Sequence, residues 1–221
     1  VIRVLVVDDE ALVRGGFTHI LGTADDIEVV AAVPGGHAVR AVHESHPDVV
    51  LLDIRMPDVD GLTVLADLRR MPDPPVVAML TTFDADEYVA TALRSGAAGF
   101  LLKDTDPEQL PHLVRALAEG GTVLSSKVTR RVVDGYLDKP VHEPGADLTA
   151  RLSDRERAVL VLMAEGLGNT DIGKRMHLST GTVKGHVSAV FSKLQVSSRV
   201  QAALIAEREG LLGPPHDGDT G

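Results

Sequence analysis

The chain has 221 residues, 44% of them hydrophobic, a formal charge of −10 and no cysteine. Disulfides and thiolate metal sites are thereby excluded, and no apolar run approaches the roughly 20 residues a membrane helix requires. The charge is unevenly placed: residues 1–125 carry 9 basic and 20 acidic side chains, whereas 150–206 carry 8 basic and 4 acidic. An acidic half joined to a basic half suggests one module that receives a signal and another that meets nucleic acid. The apolar run Val4–Val7 is followed at once by Asp8, Asp9 and Glu10, which is no signal peptide, so a cytoplasmic protein is expected.

In chain order, strands are predicted near 2–7, 27–33, 49–53, 76–80 and 98–102, and helices near 10–21, 36–45, 61–70, 85–95 and 107–119. Such alternation with short loops predicts a doubly wound α/β sheet. Val128, Val132, Val133, Tyr136 and Leu137 recur at helical spacing and predict a further helix over 126–137. Residues 138–149 hold two prolines and a glycine without an apolar period and read as a linker. From there on the pattern is all helical. Ser153 and Glu156 have the spacing of a capping box, and Gly166 ends that helix. Asn169 is placed as the cap of a short helix, 170–176, and His177-Leu178 turns the chain. Ser179 opens a helix to about Leu194, and Ser197 one to about Arg208. A short helix, a tight turn and a longer helix make a helix-turn-helix. Residues 213–221 are expected to be disordered.

Four predicted strands run into polar residues: Val4–Val7 into Asp8-Asp9, Val49–Leu52 into Asp53, Val76–Leu80 into Thr81-Thr82, and Gly99–Leu102 into Lys103-Asp104. In a parallel sheet these ends share one edge, where open α/β sheets bind ligands. Three ionised carboxylates in one place repel each other and need a cation. An all-oxygen set with few protein ligands suits Mg²⁺. A carboxylate beside Mg²⁺, with a lysine and a hydroxyl aimed at the same point, is equipped to become an aspartyl-phosphate. Singly, each residue has a plainer role: Asp53 as a loop cap, Phe100 as core, Lys103 as a solvated strand end. The agreement of residue type, strand end and chain order favours the functional reading.

With these residues in place, 1–121 resemble the receiver domain of two-component response regulators. Residues 149–212 resemble a LuxR-type helix-turn-helix domain, and the pair is similar to the NarL/FixJ family. The resemblance implies a flavodoxin-like five-stranded parallel sheet of order 2-1-3-4-5, followed by an all-α four-helix domain. It also implies a partly helical linker at 122–148 and a tail at 213–221. It makes Asp53 the phosphoacceptor, and Asp8, Asp9, Asp53 and the backbone carbonyl of Arg55 the Mg²⁺ ligands. Thr81 and Phe100 become the switch pair, and Lys103 the partner of the phosphoryl group. Thr82 would point to the other face of the strand. Many relatives carry Tyr where this chain has Phe100, and a proline follows the lysine where this chain has Asp104. The implied partners are a sensor histidine kinase, double-stranded promoter DNA, RNA polymerase and, when phosphorylated, a second copy of the chain, with no membrane. The only chemistry implied is the receiver's own phosphoryl transfer and dephosphorylation.

Within 180–194, a step of 100° per residue puts Val183, Val187, Val190, Phe191 and Leu194 on one face. Gly181, Lys184, Gly185, Ser188 and Ser192 fall opposite. That small, polar face suits a major groove. A solvated face is the plainer reading, but TVKGH (182–186) matches the family pattern. Lys184 is the expected base contact, Gly185 and Ser188 allow close approach, and Thr182 and His186 flank it. Lys174, Arg175, Lys193 and Arg199 are candidate phosphate contacts. Val200, Ala203 and Leu204 form a stripe that is either a dimer face or internal core. Other functions remain in view. A haloacid-dehalogenase-like phosphatase would need an acid where Arg55 stands. A phosphorelay protein would have no use for 150–208. A regulator controlled without phosphate stays open.

Overall fold

The computed structural model describes residues 1–82, 86–123 and 148–212. The predicted helix at 126–137, residues 138–147 of the linker and the tail 213–221 lie outside the described residues; Leu148 and Thr149, read as linker, belong to a 3₁₀ turn instead. The chain divides into two compact units, Val1–His142 and Glu143–Gly221.

The first unit is built on five parallel strands: β1 Ile2–Val7, β2 Ile27–Val33, β3 Val49–Asp53, β4 Val76–Thr81 and β5 Gly99–Leu102, in spatial order β2-β1-β3-β4-β5. The central strand explains the arrangement. All five residues of β3 are buried, so apolar side chains point to both faces and each face needs a cover of helices. That cover comes from α1 Ala11–Leu21, α2 Ala38–Ser45, α3 Gly61–Arg69, α4 Asp86–Arg94 and α5 Leu110–Ala118. Val4, Val6, Val49, Leu51, Ala78 and Leu80 pack with Phe17, Leu21, Val114 and Leu117 of α1 and α5 in one core. The chain reverses direction of travel across the sheet between β1 and β3, and a crevice opens there at the carboxyl ends of the strands.

Two element boundaries differ from the sequence expectation for local reasons. Helix α2 is preceded by a 3₁₀ turn, Gly35–His37. Helix α5 begins at Leu110 with Pro111 in its first turn, where the fixed φ of proline is pre-set and its missing N–H costs nothing; 107–109 form a turn before it. Gly61 has a specific steric role. Asp60 caps α3, its carboxylate accepting from the Leu62 N–H at 2.9 Å. A Cβ on Gly61 would lie 2.1 Å from the backbone oxygen of Asp53. Glycine here lets α3 start directly against the end of β3.

The second unit holds a 3₁₀ turn, Leu148–Arg151, then α6 Asp154–Ala164, α7 Asn169–Met176, α8 Thr180–Leu194 and α9 Arg199–Arg208. The Ser153–Glu156 capping box is present in both directions. Two cap assignments are corrected. The N-cap of α7 is Gly168, and Asn169 is the first helical residue with its side chain turned inward. The last helix is capped by Ser198, whose hydroxyl accepts from the Gln201 N–H; Ser197 lies one residue outside, its N–H donating to the Gln201 side chain at 2.7 Å. The turn of the helix-turn-helix is tight. His177 takes a left-handed conformation, φ 56°, and the Leu178 N–H donates to the Gly173 carbonyl at 2.9 Å, a typical helix ending. A Cβ on Gly173 would meet the Leu178 oxygen at 2.8 Å, so glycine allows α7 and α8 to approach.

Candidate functional site

The carboxyl ends of β1, β3, β4 and β5 bring Asp8, Asp53, Thr81 and Lys103 together. Asp8 is fully buried, and Asp53 and Thr81 are nearly so. The Lys103 ammonium lies 3.0 Å from Asp53 Oδ2, 2.9 Å from Asp8 Oδ2 and 3.2 Å from Glu10 Oε1. Its backbone N–H donates to the Thr81 carbonyl at 2.9 Å, which fixes the β5 turn to the end of β4. Burial opposes the charge on Lys103, but the carboxylates of Asp8 and Asp53 beside it outweigh burial and hold the ammonium's pKa above the ordinary lysine value. Burial pushes Asp53 above the ordinary carboxylate range, and repulsion from Asp8 adds to it. Lys103 and the Arg55 N–H act in the opposite sense.

The acidic loop is held from behind. The Arg14 guanidinium donates to the carbonyls of Asp8 at 2.7 Å and Asp9 at 3.0 Å. The Glu10 N–H donates to Asp8 Oδ1 at 2.9 Å. Asp8 Oδ2 is buried and receives no well-directed hydrogen bond; its 2.9 Å approach to Lys103 is a charge contact only. One oxygen each of Asp8, Asp9 and Asp53 lies within 4.8 Å of the others. A buried oxygen that lacks a directed hydrogen bond, within such a set, fits a small, hard divalent cation.

Thr81 ends β4, and Phe100 lies within β5. The Thr81 hydroxyl donates to the Thr82 carbonyl at 2.8 Å. Phe100, paired with Met79 in register, is buried, and Thr82 is exposed. Beside the pocket, the Arg55 guanidinium stacks over Tyr88 at 5.3 Å from the ring centroid. Both line an open cavity of about 370 Å³ with Ile54, Met56, Pro57 and Asp60.

In the second unit, α8 packs Val183, Val190 and Leu194 into the core, with Val187 and Phe191 partly buried against it. Gly181, Thr182, Lys184, Gly185 and Ser188 are exposed on the other side, and His186 is half-buried. The Thr182 hydroxyl lies 2.8 Å from that of the capping Ser179. Nothing lies within 4 Å of where a Gly185 Cβ would stand, so the helix surface there is bare.

Two family models match this chain. Residues 4–115 match the response regulator receiver domain, and 150–206 match the bacterial regulatory proteins of the LuxR family. The chain is a two-component response regulator of the LuxR type. It is 35% identical over 212 residues to the response regulator VraR of Staphylococcus epidermidis, covering 96% of this chain and 99% of VraR. It is 35% identical over 223 residues to the transcriptional regulatory protein DegU of Brevibacillus brevis, covering 95% and 94%. Among solved structures, it is similar to ChrA, the response regulator of a heme-sensing two-component system. The identity is 34% and the TM-score 0.52, over 96% of this chain and 98% of ChrA.

Within this response regulator, the basic residues of the DNA-binding domain divide into two groups. Lys174 and Arg175 are exposed at the end of α7, 2.9 Å from Asp171 and 3.8 Å from Glu165 respectively. Such exposed pairs are worth little. Arg199 is different, and its assignment as a phosphate contact is corrected. It is buried, donating to the Asn169 side-chain oxygen at 3.3 Å and to the Leu167 carbonyl. Burial lowers its guanidinium pKa to about 10. Sequence reasoning missed this lock because nothing local to Arg199 reveals a partner 30 residues away.

Lys193 is only partly available, since its ammonium lies 2.7 Å from Glu156. That ammonium, with the Ser153 N–H, holds the Glu156 carboxyl down to about 2 from its ordinary 4.5. A depressed carboxyl stabilises the fold above its unfolded pKa. The contribution should be intact above pH 4.5 and fade as the pH falls toward 2. Thermal melts across that window should show a smaller acid-induced decline for Glu156→Gln than for the natural chain; parallel curves would remove the pair from the acid response. No helix among the described residues is long and apolar enough to cross a membrane.

Proposed function

We propose that phosphorylation of Asp53 by a sensor histidine kinase switches this regulator between states that differ in dimerisation and promoter binding. The observation that carries the reading is the Lys103 ammonium 3.0 Å from a buried Asp53 carboxylate at the sheet's open edge. One Asp53 oxygen attacks phosphorus, the bond to the donor nitrogen breaks, and the kinase histidine leaves. Asp8, Asp9, Asp53 and the Arg55 carbonyl would hold Mg²⁺, which would offset the clustered carboxylates and the charge of an incoming phosphoryl group. Lys103 transfers its contact from the carboxylate to the phosphoryl oxygens. Thr81 turns its hydroxyl from the Thr82 carbonyl to the same group. Phe100 has no phenol hydroxyl, so packing alone keeps it behind Thr81.

The output is DNA binding by residues 149–212 in the cytoplasm, with RNA polymerase as the downstream partner. One recognition helix offers a single long side chain to the groove, and a good bidentate contact supplies only about 1–3 kcal/mol of discrimination. Two linked half-sites multiply affinity through effective concentration. Helix α9 suits the pairing: Ala202, Ile205 and Ala206 are buried, while Val200, Ala203 and Leu204 remain partly exposed. Light scattering with and without acetyl phosphate and Mg²⁺ should show a shift from monomer to dimer. An identical mass in both states would move the switch to exposure of the DNA-binding domain.

Contacts within the groove should separate by kind. Lys184→Ala should weaken binding to a selected site and relax the preference at one position per half-site. Arg175→Ala should weaken all sequences alike, because a phosphate contact carries no base information. Titrations on selected and scrambled DNA read the difference. Equal losses on both DNAs for Lys184→Ala would make Lys184 a phosphate contact and leave specificity to DNA shape.

A further inference from the structure

Glu10 occupies a place whose usual work it does not do. It is the N-cap residue of α1, yet its side chain makes no capping hydrogen bond. It reaches instead across 93 residues of sequence to the Lys103 ammonium at 3.2 Å. The Lys103 side chain is only 13% exposed and lies between two kinds of partner. Inward are Asp8 and Asp53, both almost fully buried; outward is Glu10, 61% exposed at the rim.

The inner partners are two of the three carboxylates whose oxygens fit a divalent cation. A cation at those oxygens and an ammonium 2.9 Å from Asp8 Oδ2 compete for the same charge. Like charges brought this close repel strongly in a buried site. An ammonium that gives up Asp8 leaves that carboxylate free to serve a metal. Glu10 is already within reach of the ammonium and stands outside the triad. A lysine moving outward by a rotation of its flexible stem would keep an ion-pair partner throughout.

We propose that Glu10 is a positioning residue that accepts the Lys103 ammonium when a divalent cation takes the oxygens of Asp8. The inference rests on the divalent-cation reading of the acid pocket. It also gives this regulator's Asp8-Asp9-Glu10 run a division of labour: two carboxylates for the metal and one for the lysine.

The test is a double-mutant cycle read by calorimetric Mg²⁺ titration of the full chain, without any phosphodonor. Glu10→Gln and Glu10→Asp are each made in the natural chain and in Lys103→Gln. In the natural chain, both should raise the Mg²⁺ dissociation constant by about two- to fivefold, the range expected for a partly exposed ion pair. Glu10→Asp keeps the charge and loses the reach. In Lys103→Gln, neither substitution should matter by as much as about twofold. Melting curves of each variant confirm that it is folded, and Lys103→Met replaces Lys103→Gln if the latter is not.

The proposal is overturned if Glu10→Asp binds Mg²⁺ like the natural chain, since charge alone would then account for Glu10. It is overturned equally if Glu10→Gln costs the same factor with and without Lys103. Absence of Mg²⁺ binding by the natural chain would instead remove the metal reading on which it stands.

Discussion

Asp53→Asn should abolish phosphoryl uptake from acetyl phosphate, while the natural chain gains the mass of one phosphoryl group. The expected effect is complete because no other carboxylate in the pocket shares the position of Asp53. Asp8 is wholly buried and committed to the Glu10 N–H and to Lys103. Asp9 belongs to a loop whose carbonyl Arg14 holds at 3.0 Å. The amide retains the size of the carboxylate and loses only the nucleophilic charge, so the fold should survive. Chelation of divalent cations should also abolish the adduct, because a dianionic phosphoryl group approaching three carboxylates is otherwise repelled. Intact-mass spectrometry reads both results. An adduct that persists in Asp53→Asn would place the acceptor elsewhere and dissolve the proposed switch.

Arg199→Ala should destabilise the DNA-binding domain rather than subtract one phosphate contact. The truncation leaves the Asn169 side-chain oxygen and the Leu167 carbonyl without their guanidinium partner. Asn169 is buried, and a buried group left unsatisfied costs about 1–3 kcal/mol; the half-buried Leu167 carbonyl adds to that, as does the lost packing of the buried Arg199 stem. In a domain of this size, each kcal/mol lowers the melting temperature by roughly 4–8 °C. A fall of roughly 10 °C or more in that domain's transition is therefore expected, measured by circular dichroism or calorimetry. Arg199→Lys should recover little, since a single ammonium cannot reproduce the planar fork that meets two acceptors. Lys184→Ala is the control and should melt like the natural chain. Should Arg199→Ala melt normally but bind every DNA more weakly and with a shallower salt dependence, Arg199 would be a phosphate contact after all.

Much of the molecule was legible along the sequence because its signals are short-range. The apolar runs of β1, β3, β4 and β5 end in Asp, Asp, Thr and Lys at the positions where the strands surface. Once the sheet is parallel, nothing else is needed to bring those groups together. The period of α8 likewise separated Val183, Val190 and Leu194 from Lys184, Gly185 and Ser188 without reference to any other helix. The capping box of α6 is a four-residue pattern and was read as such.

What failed to show in the sequence depends on pairs far apart in the chain. Asn169 has the composition of a cap, but the domain turns it inward to meet Arg199, and Gly168 caps in its place. Ser197 and Ser198 are chemically equal as caps; the geometry of the Gln201 side chain decided for Ser198. Arg199 and Lys193 look alike as basic surface residues, yet one is interior and the other is tied to Glu156. Glu10 has the look of a helix start, and only the convergence of the segments that follow β1 and β5 gives it Lys103 as a partner. Periodicity and strand-end chemistry are properties of consecutive residues, so the sequence by itself determined the elements, the sheet class and the acid–hydroxyl–lysine set. Which charged groups are spent inside the fold is a property of packing, and only the tertiary structure decided it.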